Sequence, residues 1–227
     1  FILEHSKSKY TENALVKAGT INIDLKNYKA ALDNYTMLEA SADYQSNITL
    51  AISGQLTCNY QLGNYKKAIE VSDKLIKREK LSNDQILNAH YIAAKSAMAT
   101  EDLTRATKEF EITISLSDGE KGAEAKYMLT SIQFKLKNYQ KAEAMVFELV
   151  NEYAAFEYWK AKAFIMLADI YTANDNVFQA RQTLQSIIDN YPGQDLKNEA
   201  QQKLKILEQK QAEKEMKVQD TIGNNIK

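Results

Sequence analysis

One proline, seven glycines and one cysteine in 227 residues are too few for most architectures. Sheets and compact α/β folds reverse direction often, and Gly and Pro make most of those reversals possible. Their scarcity leaves a chain that is mostly helix. A lone cysteine excludes an internal disulfide but does not settle the compartment, because many exported proteins also lack disulfides. No run approaches the ~18 apolar residues of a membrane span. An excess of one charge sign is missing as well: 29 Lys and Arg stand against 30 Asp and Glu. A net charge of −1 gives no field that would hold a nucleic-acid backbone or an anionic membrane.

What the sequence does have is a repeat. Lys26-Asn27-Tyr28-Lys29-Ala30-Ala31 returns as Gly63-Asn64-Tyr65-Lys66-Lys67-Ala68 and as Lys137-Asn138-Tyr139-Gln140-Lys141-Ala142. Weaker copies are Glu101-Asp102-Leu103-Thr104-Arg105-Ala106 and Asp175-Asn176-Val177-Phe178-Gln179-Ala180. Their third positions are 28, 65, 103, 139 and 177, with an alanine three residues after each. A period near 37 is the mark of tandem supersecondary units. After each anchor, apolar residues recur at helical spacing, as in Ala142, Val146, Leu149 and Val150. A second helical stripe precedes each anchor, for example Phe164, Leu167, Ala168 and Tyr171. Each unit therefore reads as a helical hairpin with the Asn-Tyr element in its turn. Helices approach to about 8–10 Å where small side chains sit at the crossing, which gives the repeated alanine its role. Hairpins of this kind bury their faces by stacking on neighbours. Ser46-Asn47, Ser82 to Gln85 and Ser117-Asp118 are expected helix starts, and Ser82 with Gln85 has capping-box spacing. Pro192, after Tyr191, marks the end of the last hairpin.

Phe164-x2-Leu167-Ala168-x2-Tyr171, then Ala180 and Tyr191-Pro192, resembles the tetratricopeptide repeat pattern Trp-x2-Leu-Gly-x2-Tyr…Ala…Pro. Asn59 to Glu70 resembles the central turn of the same family. The resemblance covers residues 10–192 in five repeats. It implies an all-α, right-handed α-solenoid of about five helical hairpins with a C-terminal capping helix. The sequence departs from the family in its longer period, against 34, in having no Trp at the family's Trp position, and in keeping the proline only in the last repeat. Leu196, Ala200, Leu204 and Leu207 predict a capping helix over 195–208, with a polar extension to 219; residues 220–227 lack an apolar pattern and are expected to be disordered. Residues 1–9 read as the end of a truncated preceding repeat: the chain opens on Phe1, without a leader, and Phe1, Ile2 and Leu3 have nothing upstream to pack on. The chain is therefore expected to be a fragment of a longer repeat protein. The opening is also similar to repeat junctions of periplasmic assembly lipoproteins, which favours a Gram-negative envelope location over cytoplasm.

Groups for catalysis are not found together. His5 and His90 are far apart, with no metal-ligand spacing around either. His90 falls at the family's Trp position, where a hydrogen-bonded packing role is expected. Cys58 has no cation nearby to stabilise a thiolate and reads as a small hydrophobe. Gly119-Glu120-Lys121-Gly122 lacks the phosphate-loop pattern and reads as a flexible turn. Asn34-Tyr35-Thr36 and Asn47-Ile48-Thr49 fit the glycosylation pattern, which chance supplies often. Lys74, Lys77, Arg78 and Lys80 form a basic run that a helix C-terminus would favour. No catalytic residue, cofactor or metal is expected, and the chain is expected not to be an enzyme.

In the family, the first helix of each hairpin lines a concave wall. The resemblance carries that role to Val16, Thr20 and Ile23, to Ser53, Thr57 and Tyr60, and to Tyr91, Lys95 and Met98. In the last two repeats it carries it to Tyr127, Ser131 and Phe134, then to Ile165, Asp169 and Thr172. Tyr60, Tyr91, Lys95, Met98, Tyr127, Phe134, Lys135 and Ile165 are the expected partner-binding residues. Either these rings meet a partner or they pack between repeats. Val16, Thr20, Ser53 and Thr57 stand where family members that clamp a chaperone C-terminus have Lys and Asn, so that mode is not expected. The expected function is a protein-interaction scaffold taking a peptide or helix, with no nucleic-acid partner. The alternatives are an assembly spacer in a larger chain and an effector-binding regulatory module.

Overall fold

The computed structural model describes residues 9–225, and the side chains of residues 10–217. The expected remnant of a preceding repeat lies outside the described residues except for Lys9, which begins the first helix. Eleven helices and no strand are found among the described residues. They are α1 (Lys9–Asp24), α2 (Tyr28–Ser41), α3 (Gln45–Gln61), α4 (Tyr65–Ile76), α5 (Asn83–Ala99), α6 (Leu103–Leu116), α7 (Glu120–Lys135), α8 (Tyr139–Glu152), α9 (Glu157–Ala173), α10 (Val177–Asn190) and α11 (Gln194–Asn225). The chain divides into two compact units, residues 1–117 and 118–227.

One turn recurs in all five hairpins. The residue two before each anchor is left-handed: Lys26 at φ 57°, Gly63 at 75°, Glu101 at 60°, Lys137 at 60° and Asp175 at 58°. The amide that follows reaches back five residues, as in Asn27 N–H to the Asn22 carbonyl at 2.7 Å and Asn138 N–H to Gln133 at 3.0 Å. Asn64, Asp102 and Asn176 do the same to Asn59, Ala97 and Tyr171. The left-handed residue itself donates three residues back. This paired pattern satisfies carbonyls that a helix end otherwise leaves open. The same Asn or Asp is then the N-cap of the second helix. Asp102 and Asn176 accept side-chain caps from the Arg105 and Gln179 amides, while the Asn64 and Asn138 amides donate back to Asn59 and Gln133 side chains.

In the first unit α1 packs on α2 and α3, α3 on α4 and α5, and α5 on α6. The anchor alanines Ala31, Ala68 and Ala106 are fully buried where these helices meet. The Tyr35 ring is wedged between α1 and α3, against Gly19 and Gly54. A Cβ added at Gly54 would lie 2.4 Å from the ring, and one at Gly19 2.7 Å. Buried Glu12 ties α1 to the start of α3 by accepting from the Asp43 amide at 3.0 Å and from Asn47 Nδ2 at 2.6 Å. In the second unit α7 packs on α8 and α9, and α9 on α10 and α11. Ala142 and Ala180 are fully buried. Lys126, itself buried, pairs with Glu148 at 2.7 Å and Glu152 at 3.2 Å, joining α7 to α8. Leu196, Ala200 and Leu207 of α11 close over Ala161, Ile165 and Ala168 of α9.

Some boundaries differ from expectation. The Ser82–Gln85 capping box is formed. Ser46 and Asn47, however, lie inside α3, whose N-cap is Tyr44. Ser117 ends α6, and α7 starts behind Gly119, which holds an extended conformation suited to an N-cap. The 119–122 stretch is thus the start of a helix, and Gly122 is buried. Beyond 208, α11 continues as one helix through the polar extension to Asn225. The helical course therefore enters the 220–227 segment expected to be irregular; residues 226 and 227 lie outside the described residues.

Candidate functional site

In the first unit, Tyr60 at the end of α3 and Tyr91 on α5 converge on Lys95, one turn along α5. Lys95 Nζ lies 5.7 Å from the Tyr60 ring centroid and 5.0 Å from that of Tyr91, and donates to the Tyr91 hydroxyl at 3.1 Å. Two ring faces offset part of the hydration that a half-buried ammonium loses. The Tyr60 ring also packs on Tyr65, the first residue of α4, at 6.0 Å. Met98 is half-buried and shares the α5 face of Tyr91 and Lys95 by its spacing. Three expected residues thus come together, with a fourth in register.

In the second unit the expected residues do not form a comparable group. Tyr127 on α7 packs on Trp159 of α9 at 5.5 Å, with Lys162 Nζ 5.7 Å from its centroid. Burial pushes the Tyr127 hydroxyl above its ordinary value, against the opposing pull of Lys162. Phe134 lies 5.7 Å from Tyr139 and packs against the core between α7, α8 and α9. Lys135 is exposed. Ile165 is a correction: it is 2% exposed, because α11 covers that side of α9 and draws Ile165 into a cluster with Leu196 and Ala200. It has no surface to offer a partner.

Other inner positions use their polar groups locally. Thr20, Ser53, Thr57 and Thr172 hydroxyls donate to the carbonyl four residues earlier. Asp169 accepts both its contacts from Lys203 of α11, at 2.9 Å. The His90 Nδ1 lies 2.6 Å from Glu109 Oε2, beside an Arg105 that pairs with Asp73 and reaches Glu109 at 3.5 Å. This cluster joins α4, α5 and α6, so His90 is engaged in packing. The Cys58 thiol is fully buried, and burial pushes it up to about 11.

Sequence reasoning missed Trp159, Tyr158 and Lys162. Trp159 is the chain's one tryptophan, packs edge-on with Tyr158 at 5.0 Å, and buries its indole nitrogen without an acceptor among the described residues. The signal was there in Tyr158-Trp159-x2-Lys162, but these residues lie off the positions that the family pattern marks as inner.

Residues 162–193 match the tetratricopeptide repeat family. Among curated proteins, none matches the chain. Solved structures do. MamA 41-end from Desulfovibrio magneticus RS-1 superposes with a TM-score of 0.67 at 16% identity, covering 81% of this chain and 97% of its own. YrrB, described as a tetratricopeptide repeat protein with an unusual peptide-binding site, gives 0.63 at 16%, covering 88% and 95%. A tetratricopeptide repeat protein from Parabacteroides merdae gives 0.55 at 13%, covering 91% and 88%. These likenesses show fold alone. Residues 162–193 thus match one tetratricopeptide repeat, and the described residues share with these structures an all-α fold of tandem helical hairpins joined by the recurrent turn.

Proposed function

We propose that this chain is a non-catalytic protein-interaction scaffold whose first unit binds a peptide or helix over the first helices of its hairpins. The observation that carries this reading is the convergence of Tyr60 and Tyr91 on Lys95. Tyrosine gives a partner a large rigid apolar body and a polar tip, and such residues dominate interface energetics. Met98, in register on α5, adds an adaptable apolar side chain. In the second unit Tyr127 and Phe134 are half-buried and Lys135 is exposed, so that unit offers separate, smaller contacts of its own. Tetratricopeptide repeats generally serve as scaffolds, and a protein of this fold, YrrB, is described as having a peptide-binding site.

The test is selection of binders from a displayed random-peptide library on the full chain. Selected peptides are then titrated against wild type and the double variant Tyr60→Ala with Tyr91→Ala. The expected loss is at least ~2 kcal/mol, the size of an interface hot spot, at unchanged helicity. Equal affinity for the two proteins removes the Tyr60–Tyr91 group from the binding surface.

A further inference from the structure

We propose that the first unit holds a second, separate binding site for an acidic peptide segment, in the cleft where the end of α4 meets the starts of α3 and α5. The cleft measures about 560 Å³, within the range of ligand pockets and far larger than one phosphate group. One wall is Lys77, Arg78, Glu79 and Lys80, just past the end of α4; Gln45 and Ser46 of α3 face it. Gln85, in the first turn of α5, also lines it and stands ten residues from Lys95, about 15 Å along the helix. The site is therefore distinct from the tyrosine group.

Three cations and one carboxylate face this cleft in a chain whose net charge is −1. None of the three cations forms an ion pair among the described residues. The Arg78 guanidinium donates to the neutral amide oxygen of Gln45, and its Nε is buried with no acceptor. Glu39 lies in the field of Arg78, but it is already taken by Lys74 and by Gln55 Nε2 at 2.8 Å. The negative end of α4 favours a cation here, yet it amounts to roughly half a charge and leaves most of the excess uncompensated. α3 adds the positive end of its own dipole, and its N-cap, Tyr44, supplies no side-chain acceptor. Open donors, uncompensated positive charge and a volume of peptide size all call for several carboxylates on one flexible strand.

The probe is a fluorescent hexaglutamate peptide titrated onto the full chain at low salt and followed by anisotropy, with hexaglutamine and inorganic phosphate as comparison ligands. Hexaglutamate is expected to bind and hexaglutamine not to. Lys77→Gln with Lys80→Gln, and separately Arg78→Gln, should each weaken binding at least tenfold. Lys197→Gln with Lys205→Gln removes the same charge from α11 and should leave it unchanged. Tyr91→Ala should also leave it unchanged, which keeps this site's outcome separate from that of the tyrosine group. Absence of hexaglutamate binding, an equal loss in the α11 pair, or full displacement by phosphate alone overturns the proposal.

Discussion

At the scale of single residues, the Tyr35 ring is held tightly between two glycines. The sequence shows Tyr35 only as the centre of Asn34-Tyr35-Thr36, and nothing in that tripeptide announces a ring with helix backbone on either side. Gly54→Ala removes a helix-interior glycine, a gain of up to ~1 kcal/mol, but places a methyl 2.4 Å from the ring. Overpacking of this kind costs about 1–3 kcal/mol, so a net loss is expected in urea denaturation. The double variant Gly54→Ala with Tyr35→Leu should be less destabilised than the sum of its singles, since the clash is gone; additive losses would place the ring elsewhere. Cys58 was legible as a hydrophobe because no cation neighbours it in sequence. Its raised pKa has one cause, burial, so the folded state holds the thiol proton more tightly. That contribution to stability is complete below the ordinary thiol pKa and is lost as pH rises toward about 11. The native thiol should resist a maleimide at pH 7.5 for hours and react at once in denaturant; rapid native labelling would contradict its position.

At the scale of elements, the repeated turn was plain in the sequence while its backbone was not. Asn-Tyr and alanine mark the hairpins, but only one of the five left-handed positions is glycine; the others are Lys26, Glu101, Lys137 and Asp175. A Cβ there is tolerated because two backbone hydrogen bonds and a helix N-cap fix the turn around it. Removing it should help. Lys137→Gly and Glu101→Gly are each expected to raise stability by about 0.5–1 kcal/mol, the relief of left-handed strain less the entropy of a freer unfolded chain. Gly63→Ala should lower it by a similar amount. Turns in different repeats with no shared partner should add, so a double glycine variant that melts no higher than its singles would refute the account. Helix starts were less legible: Ser117-Asp118 carry good capping chemistry, yet α6 runs up to Ser117 and Gly119 starts the next helix. Ile165 was misplaced for an element-level reason. Its helix position is an inner one, but whether it is open depends on α11, and the α11 stripe that covers it lies some thirty residues further along the chain.

At the scale of the whole molecule, periodicity decides. In a repeat protein contacts run within a repeat and to its immediate neighbours, so its fold is written in local spacing, and five alanines at near-equal steps sufficed to read it. The proposed partner surface is different, because it depends on which rings each neighbouring helix leaves open; the grouping of Tyr60, Tyr91 and Lys95 was legible from helix spacing, and that of Trp159 was not. The same quasi-linear construction sets how damage spreads. Stability in such arrays is close to a sum of repeat and nearest-neighbour terms, so a defect should weaken its own repeat most. Ala142 is fully buried among Val146, Leu149 and Ala163. Ala142→Arg forces a long cation into that cluster with no partner in it, combining overpacking with an unpaired buried charge, and should cost at least ~2 kcal/mol. Amide exchange should accelerate in α7 to α10 well before α1 to α4. A uniform rise along the chain would mean that the two units unfold as one cooperative block, and an unchanged melting temperature would mean that the alanine is not at a helix crossing at all.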